Sequence, residues 1–599
     1  MYILGICDSQ DAGAALFCSA GKTFTPLEKA AGKVGGGGDI DAAEMPPSAE
    51  PVRERSFLTG FTAVNEERLT RVKLIGGFPL KSINEVLALH NVKPCDIDLV
   101  VVASHMTPFW IFRLFRDTHA SLRNASRQFS FLLSLYILYQ VIARKSIVFK
   151  KIESLLSSIV LKRELRRQGI RAKIVNVEHH TAHAYAAYAS CGCEEALVIT
   201  ADGLGDGVSF TVNIGRQGKI KRIFAQQALN DVTLYYSRLT EFLGFAPIKD
   251  EGKVMGLAAY SRDYSLLPEA EKLLRVRRGR FRKRNLFYFC SGDKKIFARL
   301  KIKDKAAVAA SFQLHFEKTI ADIVRYWVKK TNVPDIALSG GLFANIKVNQ
   351  RIAELPEVKS VFVFPHMGDG GLAFGAICAL RKIKPFHLRN IFWGRSFTDR
   401  GIRNVLDAQR VRYEIFDDIE RYVAQLLSRG KIVARFCGAM EYGPRALGNR
   451  SILAAATDEK MQNILNGKLA RDAFMPFAPA ILSESIWECC IGVEKAAYAA
   501  EFMTMSFQCT ERFKKMCPAV VHKDGTTRPQ LVSEQSNASL YRILHEYKKL
   551  TGIPALMNTS FNIHEEPIVC TPEEALLAFK RGKLDYLAIG AFLVKAAEA

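Results

Sequence analysis

Alternating apolar and polar positions divide the chain into the strands and helices of a mixed α/β protein. Residues 2–7 form a short apolar run that ends in acidic and small residues, and apolar residues resume at Ala14. Residues 197–207 repeat this order about 195 positions later. Each copy predicts a β-hairpin with an aspartate in its turn. The pair favours a duplicated, two-lobed α/β fold with a nucleotide between the lobes. Two ordinary acidic hairpins are the alternative.

A glycine-rich junction follows a third apolar run. Residues 335–338 lead into Ser339, Gly340 and Gly341, and a helical pattern comes next. Free N–H groups and the helix dipole make such a turn an anion site, which predicts phosphate binding, although the same pattern occurs at common α/β junctions. A further strand pattern over 361–364 precedes Asp369. This places Asp369 near a strand's carboxyl end, where open α/β folds bind their ligands.

Two histidines stand one helical turn apart in a helical pattern. His179 and His183 are separated by four positions, so both imidazoles lie on one helix face. Two such ligands make half of a metal site, and Asp369 in its glycine turn supplies a third, oxygen ligand. Imidazole and carboxylate donors suit iron, zinc or manganese. The alternative is an ordinary helix with two exposed histidines.

Composition and charge narrow the class of protein. The 599 residues carry a net charge of +24, which favours anionic partners. No RNA-binding signature is present, so we expect no nucleic acid partner. The 13 cysteines form no Cys-x-x-Cys pair and the N-terminus reads as a first strand, which together predict a cytoplasmic protein with reduced thiols.

Three segments fall outside the apolar pattern. Residues 20–60 are rich in glycine, alanine and proline around 35–38 and predict a mobile insertion. Residues 107–173 predict a mostly helical insertion with 14 Lys and Arg against 3 Asp and Glu, and residues 275–284 hold seven cations. A solvated basic face explains both runs, and contact with an anionic membrane or an acidic acceptor is the functional alternative. The pattern changes again near residue 385, where we place a domain boundary.

The order of motifs resembles the NodU/CmcH family of carbamoyltransferases, which includes nodulation-factor and antibiotic O-carbamoyltransferases. The matching stretches run through nearly the whole chain: 66–73 together with 78–79, the His179 and His183 run, 202–207, 249–258, 339–345, 368–371, 440–452, 476–480, 522–530 and 554–562. Ten such motifs in order make the resemblance specific.

The resemblance implies two catalytic domains. Residues 1–385 would form an actin-like ATPase domain, and residues 386–599 a domain similar to YrdC. The second joins carbamoyl phosphate and ATP into carbamoyl-adenylate and pyrophosphate. The first passes the carbamoyl group to a hydroxyl or amine of a secondary metabolite or glycan and releases AMP. The cofactors implied are ATP, magnesium and a divalent metal, usually iron, on His179, His183 and Asp369. A homodimer is left open.

Motif positions also imply roles for individual residues. The implied catalytic residues are Asp11, Asp202, Lys253, Arg528 and Ser560. The implied nucleotide- and phosphate-binding residues are Gly203, Ser339, Gly340, Gly341, Asn345, Arg445, Arg450, Lys468, Thr526 and Asn558. The arginines are expected to cradle phosphate, because guanidinium groups bind it through paired hydrogen bonds.

Three positions depart from the family pattern. Gln10 stands where the family has a histidine, and glutamine cannot act as a general base. Leu469 and Met475 stand where the family has cations, with Lys468 one position away. Leucine and methionine here could line a pocket for a more apolar acid. Two rival functions therefore stay open: an acyl-adenylate ligase for another acid, and a catalytically silent nucleotide-binding subunit.

Overall fold

The computed structural model describes residues 1–18, 60–114, 139, 142, 146–283, 304–472 and 474–596. Helices and strands alternate along the chain, which confirms the mixed α/β class predicted from the sequence. The predicted mobile insertion at 20–60 lies outside the described residues except for residue 60. Most of 115–145, within the predicted basic insertion, lies outside them as well.

Two five-stranded sheets share one topology. The first sheet contains β1 (Tyr2–Cys7), β2 (Gly13–Cys18), β3 (Phe61–Asn65), β4 (Leu99–Ala103) and β5 (Lys173–Val177). The second contains β6 (Glu195–Gly205), β7 (Val208–Arg216), β8 (Lys219–Gln227), β11 (Asp335–Ser339) and β12 (Ser360–Val363). Their orders are β3-β2-β1-β4-β5 and β8-β7-β6-β11-β12. In each, a three-strand antiparallel meander is extended by two parallel strands. The repeat predicted from the two hairpins is therefore present in the fold.

The second hairpin turns later than the sequence pattern indicates. Its turn is formed by Asp206 and Gly207, both with positive φ. Asp202 lies within β6, in an irregular stretch between the paired residues Ala201 and Gly205. The bulge redirects the Asp202 side chain, which a regular ladder would hold in alternation with its neighbours.

The third sheet has eight strands and lies in the C-terminal part of the chain. Its order is β13-β23-β22-β14-β15-β21-β16-β20. The strands are β13 (Glu414–Ile415), β14 (Val433–Phe436), β15 (Arg450–Ala455), β16 (Ala478–Leu482), β20 (Gln530–Val532), β21 (Ala555–Ser560), β22 (Tyr586–Ile589) and β23 (Phe592–Lys595). A small sheet consists of β17 (Cys490–Ile491), β18 (Phe507–Cys509) and β19 (Thr526–Thr527), and a separate hairpin consists of β9 (Leu274–Arg277) and β10 (Arg280–Lys283).

Nineteen α-helices are assigned within the described residues. Those before residue 385 are α1 (Glu66–Thr70), α2 (Leu80–Leu89), α3 (Trp110–Leu114), α4 (Ile147–Arg167), α5 (His179–Ser190), α6 (Thr233–Phe242), α7 (Glu251–Ala258), α8 (Leu267–Leu273), α9 (Lys305–Thr331), α10 (Ile346–Ala353) and α11 (Leu372–Arg381). The later ones are α12 (Asp399–Ala408), α13 (Ile419–Ser428), α14 (Lys460–Lys468), α15 (Ile486–Cys489), α16 (Ala497–Ala500), α17 (Glu511–Met516), α18 (Glu534–Thr551) and α19 (Pro572–Arg581). None of these nineteen helices is both long enough and apolar enough to cross a bilayer.

The described part of the predicted basic insertion is helical and packs on the first sheet. The buried Arg113 of α3 donates two hydrogen bonds to Asp8, which follows β1, at 2.6 and 3.0 Å. Glu153 of α4 accepts a hydrogen bond from the backbone N–H of Trp110 at 2.8 Å. These contacts tie α3 and α4 to the first hairpin, so both helices are part of the folded structure around the first sheet.

Small residues allow three elements to approach closely beneath the two sheets. A Cβ at Gly375 of α11 would lie 2.1 Å from the carbonyl oxygen of Ala182 of α5. A Cβ at Gly5 of β1 would lie 2.4 Å from the carbonyl oxygen of Ala373. Real side chains do not tolerate such distances, so only glycine fits at these contacts. The close approach brings the N-terminal end of α5 next to the turn that precedes α11.

We expect Gly375→Ala to destabilise the protein, because its methyl group would collide with backbone of α5 rather than with a movable side chain. Overpacking of this kind costs about 3 kcal/mol. The matched control is Gly467→Ala in α14, where nothing lies within 4 Å of the added Cβ. That change should be neutral or stabilising by about 0.5–1 kcal/mol. Denaturant unfolding of both variants checks this, and equal stabilities would contradict it.

Candidate functional site

Two buried histidines begin α5. Glu178 caps the helix, and its carboxylate accepts a hydrogen bond from the backbone N–H of Thr181 at 2.7 Å. His179 and His183 follow one turn apart, each only 1% exposed. Their ring centroids lie 4.8 Å apart. The alternative of two exposed histidines on an ordinary helix therefore does not hold. Both rings face the space between the sheets.

Two carboxylates meet the histidine rings. Nε2 of His183 lies 3.0 Å from Oδ2 of Asp202 and 3.6 Å from Oδ1 of Asp369. Nε2 of His179 lies 3.6 Å from Asp369 and 3.8 Å from Asp202. One ligand atom from each of the four residues falls within 4.8 Å of every other. The structure thus brings the three predicted metal ligands together and adds Asp202, which the sequence analysis assigned to catalysis.

The four-residue group fits a divalent cation. Both ring nitrogens of His179 are buried, and neither has a hydrogen-bond partner among the described residues. A buried polar atom without a partner costs about 1–3 kcal/mol, so a native protein rarely keeps one without a ligand. Two imidazoles and two carboxylates form a donor set that suits iron, zinc or manganese. The signal in the sequence for Asp202 was its place in the repeated acidic hairpin.

Neighbouring hydroxyl and backbone groups orient the four side chains. Ser339 Oγ lies 3.1 Å from Nδ1 of His183, which leaves Nε2 facing the carboxylates. Ser9 donates a hydrogen bond to Oδ2 of Asp369 at 2.7 Å. Partners of this kind fix ring orientation and raise ligand basicity. The sequence analysis placed Ser339 at phosphate and did not identify Ser9.

The charge distribution explains the protonation of His179. Burial lowers the pKa of this ring, but Asp369 and Asp202 more than offset it and raise the pKa to about 9. Burial and the neighbouring Asp202 raise the pKa of Asp369. Without a cation, the group therefore holds a proton on His179 at neutral pH. A metal ion must displace that proton to bind.

The predicted glycine turn lies directly over Asp202. Gly340 has φ +109°, and a Cβ there would lie 2.1 Å from the carbonyl oxygen of Ala201. A Cβ at Gly341 would lie 3.5 Å from Oδ1 of Asp202. The N–H of Gly203 donates to the same carboxylate oxygen at 2.6 Å. The turn and the β6 bulge thus form one backbone wall beside the metal group, with space that a larger residue would fill.

Asn345 has a structural role. Its side-chain oxygen caps α10 by accepting the N–H of Val348 at 3.1 Å, and its amide donates to Gln313 at 3.1 Å. Asp11 lies in the first hairpin with φ +58° and accepts a hydrogen bond from Asn65 at 3.3 Å.

A second charged site lies in the C-terminal part of the chain. Arg445, Arg471 and Arg528 lie close enough that Arg445 and Arg471 both act on Arg528; burial and these two cations lower its pKa well below the usual value. Burial and the positive charge of Arg445 lower the pKa of Arg471 to about 10. Among the described residues, no carboxylate lies within ion-pair distance of any of the three guanidinium groups. Three such cations without a counterion form a cradle for an anion. Arg471 was not among the predicted site residues, although it matched the family register.

Two predicted phosphate ligands are engaged elsewhere, which corrects the sequence prediction. Arg450 is fully buried, donates to the carbonyls of Cys437 and Gly438 at 2.6 and 3.2 Å, and stacks on Phe436. Lys468 donates to the carbonyl oxygen of Lys583. Both side chains therefore bind backbone carbonyl oxygens of this part of the chain.

Of the remaining predicted site residues, Lys253 joins the two halves of the chain, and the others lie within the C-terminal half. Lys253 of α7 pairs with Asp472 at 3.0 Å, joining the two halves of the chain beside Arg471. Thr526 donates to Asp524 at 2.6 Å, and the buried Asn558 donates to Gln530 at 2.7 Å. Ser560 ends β21 and is half-buried.

The apolar-pocket interpretation of Leu469 is wrong. Leu469 is 1% exposed and packs in the main hydrophobic core. Met475 is half-buried, and its carbonyl oxygen accepts a hydrogen bond from Asn466 at 3.4 Å. The residue that replaces the family's lysine therefore fills the core.

Comparisons with known proteins find similarity over most of the chain. A carbamoyltransferase N-terminus family model matches residues 58–378, and a carbamoyltransferase C-terminus model matches residues 424–596. The chain is 31% identical to the uncharacterized protein MJ1051 of Methanocaldococcus jannaschii, over 89% of this chain and 95% of that protein. It is 29% identical to nodulation protein NolNO of Sinorhizobium fredii, over 89% of this chain and 77% of that protein. Among solved structures, full-length HypF in its phosphate- and nucleotide-bound form has 14% identity and a TM-score of 0.28, over 52% of this chain and 51% of that chain.

We expect the purified protein to bind about one divalent metal ion per chain. His183→Ala should lose it, because one imidazole ligand and its Ser339-held orientation disappear. Elemental analysis after dialysis measures the metal. The matched control is His545→Ala, since His545 is partly exposed on α18, where it lies beside Glu546 and the ring of Tyr541, away from the metal group. Metal retained at full occupancy in the His183 variant would contradict the assignment.

Metal affinity should rise with pH. His179 is protonated at neutral pH because its pKa is about 9, and binding releases that proton. The association constant should therefore increase about tenfold per pH unit between roughly pH 6 and 9 and level off above that. Titration with Mn²⁺ at fixed ionic strength measures this slope. A flat profile over the range would show that His179 is not a ligand.

Proposed function

This chain belongs to the carbamoyltransferase family, and we propose that it uses ATP and carbamoyl phosphate to carbamoylate a hydroxyl or amine of a secondary metabolite or glycan. In this proposal residues 1–385 form an actin-like transfer domain and residues 386–599 a YrdC-like adenylate-forming domain. The shared topology of the first two sheets supports the duplicated architecture. The binding partner that we propose for the protein is this small-molecule acceptor.

The observation that carries the proposal is the arginine cluster. Arg445, Arg471 and Arg528 are half-buried and repel one another. Burying like charges together is unfavourable unless an anion binds between them. Carbamoyl phosphate and the triphosphate of ATP are such anions. The three guanidinium groups supply the cations that positions 469 and 475 lack.

The first proposed step forms a mixed anhydride. Water removes the phosphate of carbamoyl phosphate, and the carbamate oxygen attacks the α-phosphorus of ATP. A bond from the carbamate oxygen to the α-phosphorus forms. The bond from that phosphorus to the oxygen that bridges the α- and β-phosphates breaks, and pyrophosphate leaves with magnesium. Arg528 and Arg445 would hold the negative charge that builds on the phosphates. Ser560, half-buried at the end of β21, can donate a hydrogen bond there.

The second proposed step transfers the carbamoyl group to the acceptor and releases AMP. Asp11, in the first hairpin turn, is the carboxylate we assign to the acceptor's proton, because Gln10 beside it cannot titrate. Gly203, Gly340 and Gly341 leave room for the phosphate beside Asp202. A divalent ion held by His179, His183, Asp202 and Asp369 would supply positive charge beside the leaving phosphate.

A rival function receives less support. An acyl-adenylate ligase for an apolar acid would require an apolar pocket at Leu469, and that side chain is packed in the core. The retained arginines favour a phosphorylated donor.

We expect Arg528→Gln to lower the rate of pyrophosphate exchange into ATP, with carbamoyl phosphate present, by about 10- to 100-fold. Losing one charged hydrogen bond accounts for that magnitude. The matched control is Arg512→Gln, since Arg512 is exposed and paired with Glu488 at 3.2 Å. It should exchange at the unaltered rate. Exchange that does not depend on carbamoyl phosphate would overturn the donor assignment.

The two steps should also separate by mutation. His183→Ala should retain carbamoyl-phosphate-dependent exchange, because the arginine cluster is intact, while losing carbamoyl transfer. If the His183 variant loses exchange and remains folded, the division of labour between the two sites is wrong.

A further inference from the structure

The β9–β10 hairpin presents one apolar and one strongly basic face. Leu274 and Phe281 are buried against the core of the second lobe. Arg275, Arg277 and Arg280 point the other way and are exposed, and so is Arg282. This alternation follows from the two-residue period of a strand. The hairpin therefore carries four guanidinium groups on a single face.

The arginines oppose one another in pairs. The antiparallel register sets Arg277 across from Arg280 and Arg275 across from Arg282. Directly opposed side chains have Cβ atoms about 5 Å apart, and like charges at that spacing destabilise a sheet. No carboxylate of the described residues lies within ion-pair distance of the four. Arg275 donates only to the carbonyl oxygen of Glu271, and Arg280 lies over the ring of Phe224.

The hairpin is held firmly in this unfavourable arrangement. Its two-residue turn, Arg278 and Gly279, has φ of +51° and +69°, as a type I′ turn requires. Trp327 of α9 donates to the carbonyl oxygen of Gly279 at 3.1 Å. Gln226 of β8 exchanges two hydrogen bonds with the backbone of Phe281, at 3.0 and 3.1 Å. The arginine face is thus fixed in place before any ligand arrives.

A cleft opens beside this face. It has a volume of about 460 Å³, and it is lined by Phe224, Gln226, Gln227, Asn230, Arg280 and Arg282, among others. That volume lies within the range of small-molecule sites. The ring of Phe224 and the amides of Gln227 and Asn230 suit an uncharged polar body, and the arginines suit phosphate.

We propose that this arginine face and its cleft bind a small organic molecule that carries at least two phosphate groups. The phosphates lie on the paired arginines, which relieves their mutual repulsion, and the polar body enters the cleft. A bilayer or a nucleic acid duplex would contact the arginines but leave the amide-lined cleft unfilled. The site is distinct from the metal group and from the Arg445 cluster, so it does not depend on the proposed function.

A short loop connects the cleft to the backbone beside Asp202. Asn230 at its edge is followed by Asp231, and α6 begins at Thr233. A Cβ at Gly203 would lie 3.3 Å from Oγ1 of Thr233. The loop from 228 to 233 therefore runs from the cleft to the backbone wall beside Asp202.

The test combines binding with a local readout on the full chain. Tripolyphosphate is the probe, orthophosphate is the single-phosphate comparison, and Arg277→Gln with Arg282→Gln removes one arginine from each opposed pair. We expect tripolyphosphate to slow amide hydrogen exchange in residues 274–283 of the unmodified protein and not in the double variant. The variant's affinity should fall by at least tenfold, while Arg400→Gln with Arg412→Gln, two exposed arginines elsewhere, should match the unmodified protein.

A second measurement separates this site from catalysis and from a misfolded variant. The double variant should melt at a higher temperature than the unmodified protein at low salt, because like charges have been removed. Its pyrophosphate exchange should be unchanged. Unaltered hydrogen exchange at the hairpin, equal protection in the double variant, or protection only by phosphatidylglycerol vesicles or duplex RNA would overturn the proposal.

Discussion

The contact between α5, α11 and β1 determines whether the metal group can exist. His183 belongs to α5, and Asp369 lies in the turn that opens α11. They reach 3.6 Å only because Gly375 lets α11 touch the backbone of Ala182 and Gly5 lets β1 touch α11. Protein interiors are close-packed, so a methyl group at this contact would be transmitted as a shift of the whole helix. Ligand geometry therefore depends on residues that bear no functional group.

Two opposite charge imbalances follow from the fold. The metal group brings the two carboxylates of Asp202 and Asp369 together in a buried position beside His179. The cluster around Arg528 lacks an anion. Each imbalance is costly in a protein interior and is relieved by a ligand of the opposite sign. The adenylate chemistry that we propose would use both, with phosphates bound at the arginine cluster and the leaving phosphate beside the metal group.

The two halves of the chain interlock near these sites. The hydroxyl of Tyr442 donates to the carbonyl of Gly370, beside Asp369, and Arg68 donates to the carbonyl of Gly443 at 2.5 Å. Lys253 reaches Asp472 from the other side. The loop of residues 440–450 therefore belongs structurally to both halves. A substitution in one half can alter the metal group or the arginine cluster through the other.

The sequence by itself determined the elements and much of the chemistry. Periodicity placed both hairpins, and the four-residue spacing of His179 and His183 put both rings on one helix face, because local geometry needs no distant partner. Which carboxylates meet those rings was decided by the tertiary structure: a bulge in β6 turned Asp202 inward. The tertiary structure also decided the surroundings of two other predicted residues. Arg450 binds backbone carbonyls, and Leu469 fills the core. Their surroundings come from segments far away in the chain, and motif position carries no information about such packing.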